Sequence, residues 1–195
     1  MSHPSLTIIH DEHGALAAML RSLSMLLKEH RRKGSLPDFS VLRAMLFYVD
    51  EFPEKLHHTK ETELLFPKVR ARCPEVAAVL DRLERDHERG EKAIRDLEHD
   101  LLAFEVLGEP RRDAFEQAVE RYIEFYLGHM AVEEKEILPL ALKVFTETDW
   151  KELDAAFLAN RDPLTGHEPT EGYRPLFSKI VMSAPAPIGL GPPIR

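Results

Sequence analysis

The pattern H-x-x-x-E-x-x-x-[LI]-x-P occurs twice in the chain, first from His57 and Glu61 and again from His129 and Glu133. Residues four positions apart lie on the same face of a helix, with Cβ atoms about 6 Å apart. An imidazole and a carboxylate on one helix face can bind the same cation. Each repeat is therefore a candidate half of a metal site.

Each repeat is preceded by a helical stretch with one histidine in its apolar seam. These seam histidines are His13, before the first repeat, and His87, before the second. The spacing from His13 to His57 is almost the same as that from His87 to His129. The sequence therefore predicts two similar helix hairpins related by a pseudo-twofold axis.

Together the two hairpins turn four imidazoles and two carboxylates inward, and this set requires positive charge. A buried carboxylate is costly unless it is paired, and no Lys or Arg in the seams is placed to pair with it. Nitrogen and carboxylate ligands without thiolate favour iron over zinc, with manganese also suitable. The simplest arrangement has both glutamates bridging two cations. One cation is then held by His13 and His57, and the other by His87 and His129.

Each part of this pattern also has a simpler interpretation. A single histidine on an apolar face is more often a hydrogen-bonded core residue, and a single H-x-x-x-E is common on solvated helix faces. The joint pattern, repeated with matching spacing, favours the metal site. Without metal, burial and mutual repulsion are expected to raise the pKa of an inward carboxyl group such as Glu133.

The helices that carry these candidate ligands are predicted from the periodicity of apolar residues. Apolar residues recur at spacings of three and four along four long stretches, which predicts an all-α, up-down antiparallel four-helix bundle over residues 1–145. The first helix is expected to end near Gly34, and Pro53 is expected to kink the second helix rather than end it.

Residues 146–195 have a different composition. They predict short C-terminal helices, followed by an extended Pro- and Gly-rich tail from Ala184 to Pro193. The sequence leaves open whether this tail wraps the bundle.

Composition limits the classes of partner. The chain has 195 residues and a net charge of −8, which argues against a nucleic-acid partner. Apolar runs are too short for a membrane span, and no secretory signal is visible at the N-terminus. The single cysteine, Cys73, is compatible with a reducing compartment, so a cytoplasmic location is expected.

Three runs resemble the hemerythrin-like (HHE cation-binding) domain: residues 9–13, residues 57–61, and residues 129–134 followed by Leu138 and Pro139. The resemblance extends over roughly residues 6–145. It implies an up-down bundle around a non-haem di-iron centre with oxo or hydroxo and carboxylate bridges. The family's ligand positions fall on His13, His57, Glu61, His87, His129 and Glu133.

The chain departs from the oxygen-carrying members of that family at Glu91, where they have a second histidine on the third helix. Glu91 is either a further carboxylate ligand or a solvated residue, and it stays in the candidate set. The carriers also place a carboxylate where this chain has Glu134. Glu133 is preferred because it shares the face of His129 and matches Glu61.

Three other side chains near the predicted site are not expected to be ligands. His10 is expected in the second shell or at the surface, and His58 is expected to point about 100° away from its neighbour. Tyr126 is expected to pack in the bundle through a hydrogen-bonded hydroxyl, with hydrogen bonding to a bound oxygen species as the alternative.

These features predict a di-iron protein that interacts with O2, NO or peroxide in sensing, scavenging or stress protection. An alternative is a di-iron oxidoreductase with peroxidase-like or NO-reducing activity. A third is a regulatory interaction module whose order depends on metal. A homodimer is compatible with the sequence.

Overall fold

In the computed structural model, residues 3–191 are described, and all their regular secondary structure is helical. Two of the long helices contain π-helical turns, in which one extra residue widens the turn. The six helices are α1 (Pro4–Lys33), α2 (39–72), α3 (Ala77–Leu107), α4 (112–144), α5 (Glu147–Leu158) and α6 (Arg174–Ser183). The π-helical turns are Asp50–His57 and Glu61–Leu65 in α2, and Glu133–Ile137 in α4.

Local signals fix several helix ends. α1 ends at Gly34, whose φ of 60° lies in the left-handed region that favours glycine. The Asp38 side chain caps α2 by accepting a hydrogen bond from the Ser40 amide at 2.9 Å. Thr146 and Asp149 form a reciprocal capping box at the start of α5.

A layer of polar side chains separates two apolar clusters in the interior. The larger apolar cluster includes Leu16 and Ile94, and the smaller one includes Ile9, Leu83 and Ile137. On α1, His13 falls between Ile9 and Leu16, so this helix passes from the smaller cluster through the polar layer into the larger one. Each of the four long helices likewise has residues in both apolar clusters, with its inward polar residues between them.

The four long helices alternate in direction. α1 and α3 pass from the smaller cluster to the larger one, whereas α2 and α4 pass from the larger to the smaller. Contacts join α1 to α4, α4 to α3, α3 to α2 and α2 to α1. Short connections between consecutive helices favour this alternation.

The sequence predicted that α2 continues past Pro53, and it does. Pro53 lies buried within the π-helical turn Asp50–His57, and the helix continues to Arg72. Proline has no amide hydrogen and removes one helical hydrogen bond, and a widened turn accommodates this loss.

Helices α5 and α6 pack onto the long helices on opposite sides of the polar layer, α5 in the smaller apolar cluster and α6 in the larger one. The side chain of Asp154 on α5 accepts hydrogen bonds from both the amide and the hydroxyl of Ser5. Trp150 stacks on His3, with ring centroids 3.9 Å apart. Helix α5 therefore covers the N-terminal part of α1.

The tail is not extended as far as the structure describes it. The Leu190 amide donates to the Val181 carbonyl at 2.7 Å, and the Gly191 amide donates to the Ala184 carbonyl at 2.9 Å. The chain thus turns back on the end of α6 because these amides satisfy carbonyls there. The remainder of the predicted tail, Pro192 and Pro193, lies outside the described residues. Over residues 3–191, no helix combines the length and apolar character needed for a membrane span.

Candidate metal centre

The four predicted histidines meet in the polar layer as two pairs. The Nε2 atoms of His13 and His57 are 3.1 Å apart, and those of His87 and His129 are 2.9 Å apart. All four rings are buried. Two nitrogens that each lie about 2.1 Å from one cation at a right angle are separated by about 3 Å, so each pair has the spacing of a metal chelate.

Glu61 and Glu133 lie between the two histidine pairs. One oxygen of Glu61 lies 3.2 Å from His57 Nε2 and the other 3.6 Å from His87 Nε2. Glu133 reaches 3.1 Å from His129 Nε2 with one oxygen and 3.5 Å from His13 Nε2 with the other. Each carboxylate therefore spans both pairs, as a bridging ligand does.

The two carboxylates are fully buried, at 0% exposure. Among the described residues, none of their four oxygens accepts a hydrogen bond. Unsatisfied buried carboxylate oxygens are costly, and a cation between them would remove that cost. The donor set therefore fits two cations bound by nitrogen and oxygen.

The expectation that a buried Glu133 has a raised pKa is wrong. Burial does act to raise it, but the nearby imidazoles, above all His129, outweigh burial and hold the pKa of Glu133 well below its ordinary value. The Glu133 carboxylate is thus ionised and available as a ligand.

His58 faces the cluster, contrary to the sequence-based expectation that it points away. Its ring is buried and stacks on His87, with centroids 4.3 Å apart. One of its nitrogens lies within 4.8 Å of ligand atoms of Glu61, His87 and His129. The π-helical turns on either side change the register of α2, so His57 and His58 both reach the interior, one toward each pair.

Each of the five inward histidines has a polar side chain beside its outer nitrogen, Nδ1. Such partners orient metal-ligating imidazoles and fix their tautomers. Four are hydrogen bonds: His13 to Glu134 at 2.9 Å, His57 to Glu12 at 2.6 Å, His58 to Glu54 at 3.0 Å, and His87 to Thr62 at 2.8 Å. The fifth is a longer approach of His129 to Asp86 at 3.7 Å, which is not a hydrogen bond.

Sequence reasoning missed these partners, although two of them carried a signal. Glu12 directly precedes His13, and Asp86 directly precedes His87. Each acidic residue approaches the histidine contributed by the other helix of its hairpin. The pseudo-twofold repeat thus includes the candidate ligands and also the acidic residues beside them.

Glu54 joins His58 to two buried tyrosines. The hydroxyls of Tyr122, at 2.7 Å, and Tyr126 donate to the same Glu54 oxygen. A Cβ atom at Gly90 would lie 1.7 Å from the Tyr126 hydroxyl, so only glycine leaves room for this contact. Tyr126 therefore packs through a hydrogen-bonded hydroxyl, as its simpler interpretation predicted.

The structure does not bring Glu91 to the cluster. Its side chain is 50% exposed, and its carboxylate contacts Arg95 one turn further along α3. The space beside His87 is taken by the His58 ring. Of the alternatives left open for Glu91, the structure shows the solvated one.

Glu134 and His10 lie outside the buried layer. Glu134 is 38% exposed and contacts the outer nitrogen of His13, whereas Glu133 occupies the interior. His10 is 53% exposed, with its Nδ1 3.6 Å from Glu134. Cys73 is buried just after the end of α2 and is not among the clustered side chains that could hold a metal ion.

An all-helical fold with paired imidazole and carboxylate groups in its interior defines a class of metal-binding helical proteins. The family model for the hemerythrin HHE cation binding domain matches residues 5–141, and the chain belongs to this family. The resemblance inferred from the motifs is thereby confirmed, and the family binds metal cations, typically iron. A comparison with curated proteins finds no match to this chain.

Proposed function

We propose that the protein holds two iron ions in the polar layer and binds a small molecule, O2, NO or peroxide, as a sensor, scavenger or stress-protection protein. The observation that supports this most is the pair of buried carboxylates, each of which spans two histidine pairs with unsatisfied oxygens. We also infer an up-down four-helix bundle over residues 1–145, with residues 146–195 as an extension.

In this proposal Glu61 and Glu133 bridge the two ions, with His13 and His57 on one side and His87 and His129 on the other. Bound iron supplies open coordination positions and a reversible change of oxidation state. The protein's own residues hold the imidazoles in place and exclude bulk water. The Glu12 carboxylate, for example, accepts a hydrogen bond from His57 Nδ1–H and so leaves Nε2 as the metal-facing nitrogen.

His58 gives the two proposed iron positions different numbers of imidazole ligands. Burial and the neighbouring His87 imidazole hold the pKa of His58 well below its ordinary value, so the ring is neutral. Its Nδ1–H donates to Glu54, which leaves Nε2 with a lone pair on the cluster side. We propose that the ion at His87 and His129 has a third imidazole ligand in His58, whereas the ion at His13 and His57 keeps a more open coordination sphere.

Metal analysis with an absorption spectrum tests the central proposal. Protein purified in air is expected to contain two irons per chain and to show near-ultraviolet charge-transfer bands of a bridged ferric pair. Addition of azide, as a probe for small ligands, should shift these bands. A protein that takes up no iron would contradict the proposal, and sustained turnover with an electron donor would favour the oxidoreductase alternative.

Replacement of His58 tests the unequal positions. His58→Ala is expected to lower the affinity for one of the two irons by about 10-fold or more while the other iron is retained, because only one ion loses an imidazole. His10→Ala is the matched control, since that histidine is exposed on α1. Iron content measured after dialysis checks this result, and equal iron content in both variants would show that His58 is not a ligand.

A further inference from the structure

The residues that follow the matched family domain surround one histidine of the centre. Phe157, at the end of α5, is fully buried and packs edge-on against the His57 ring, with centroids 5.6 Å apart. Asn160 and Asp162 follow, and both side chains are about 4% exposed. All three lie outside residues 5–141, so the family domain does not account for them.

Asn160 is connected to His57 through one carboxylate oxygen. Its Nδ2 donates to Glu12 Oε2 at 3.1 Å, and the same oxygen accepts from His57 Nδ1 at 2.6 Å. The Asn160 Oδ1 accepts from Lys60 Nζ. Both ends of the amide are therefore held, and the Glu12 carboxylate is fixed between the amide and the imidazole.

Asp162 is also held firmly in place. Its Oδ2 accepts from the Tyr48 hydroxyl at 2.6 Å, and its Oδ1 accepts from the Leu164 amide at 2.8 Å. Burial raises the pKa of Asp162 above its ordinary value. A segment that served only to cover α1 and α2 would gain more stability from apolar side chains at these positions.

A small cavity lies between these residues and the centre. It is lined by Glu12, His13, His57 and His58, by Asn160 and Asp162, and by apolar side chains of α1 and α2. The space open to the centre of a water molecule is about 10 Å³. Such a cavity holds about one water, which is close to the size of a diatomic ligand.

We propose that the segment carrying Phe157, Asn160 and Asp162 is a cap over the His13 and His57 side of the centre. Asn160 is a positioning residue, which orients His57 through Glu12. Together with Asp162 it also determines specificity, because it limits access to molecules about the size of a diatomic. This inference rests on the proposed function for its metal and ligand.

Two substitutions at one position separate the two roles. Asn160→Leu removes the hydrogen bond to Glu12 but keeps the number and branching of the side-chain heavy atoms, so the cavity stays filled, whereas Asn160→Ala removes the bond and opens the cavity. Leu158→Ala is the control, because this side chain lies in the same segment but is 58% exposed. Circular dichroism first establishes that each variant is folded.

The positioning role is tested by the release of iron to a chelator. Both Asn160 variants are expected to release one of the two irons about 10- to 100-fold faster than the wild type and Leu158→Ala. In a Glu12→Ala background, Asn160→Leu should have no additional effect, since it acts through Glu12. Additive effects, or equal acceleration of both irons, would overturn the positioning role.

The access role is tested by the rate at which azide binds to the ferric protein. Asn160→Ala is expected to bind azide about ten-fold faster than the wild type, because the shorter side chain widens the cavity, and Asn160→Leu is expected not to. Identical azide rates in the two variants would overturn the access role. Wild-type protein without iron would instead overturn the proposed function, so the two failures are distinguishable.

Discussion

Glu61→Ala is expected to lose both irons, whereas Glu63→Ala is expected to keep them. Glu61 reaches His57 Nε2 at 3.2 Å with one oxygen and His87 Nε2 at 3.6 Å with the other, so its removal affects both positions. Glu63 is exposed on the same π-helical turn and is a matched control.

Iron per chain after desalting checks this result, together with an affinity measured by competition with a chelator. We expect a loss of affinity of more than about 100-fold for Glu61→Ala, beyond what loss of an outer hydrogen-bond partner causes. Two irons retained by Glu61→Ala would contradict the bridging assignment. Retention of one would indicate that Glu61 serves a single ion.

Removal of metal from the wild-type protein is expected to lower the thermal midpoint by about 8 to 16 °C. One ion present at 1,000 times its dissociation constant stabilises the native state by about 4 kcal/mol, and each kcal/mol corresponds to about 2–4 °C in a chain of this size, so the loss of one of the two ions alone accounts for this shift. Without metal, the four oxygens of Glu61 and Glu133 remain buried without hydrogen bonds, and only the neighbouring imidazoles stabilise the negative charge of Glu133.

Differential scanning calorimetry with and without a chelator measures this shift. The chelator should leave the midpoint of Glu61→Ala unchanged, because that variant has no iron to lose. A wild-type midpoint that does not move on chelation would contradict the role of metal in stabilising the polar layer.

The core of the centre could be predicted from spacing alone. His57 and Glu61 lie four residues apart, and His129 and Glu133 repeat this, so helical geometry places each pair on one face. His13 occupies an apolar seam, which points inward whatever the neighbouring helices are. The same periodicity predicted the long helices, and the continuation of α2 past Pro53 followed from it.

The position of His58 could not be predicted in this way. An ideal α-helix rotates by about 100° per residue and turns His58 away from the site. The π-helical turns Asp50–His57 and Glu61–Leu65 alter that register. Glu91 is the opposite case, a candidate ligand that lies outside the cluster. It is on approximately the same helix face as His87, but the His58 ring occupies the space beside that histidine.

The chain by itself thus determined which helix faces carry nitrogen and carboxylate groups, since that depends only on the local repeat of the backbone. The contacts of Glu12 with His57 and of Asn160 with Glu12 span 45 and 148 residues. Only the packing of α1, α2 and the segment after α5 brings these side chains together. Tertiary structure therefore decided how the imidazoles are oriented and what surrounds the His13 and His57 side of the centre, because no local repeat relates residues so far apart in the chain.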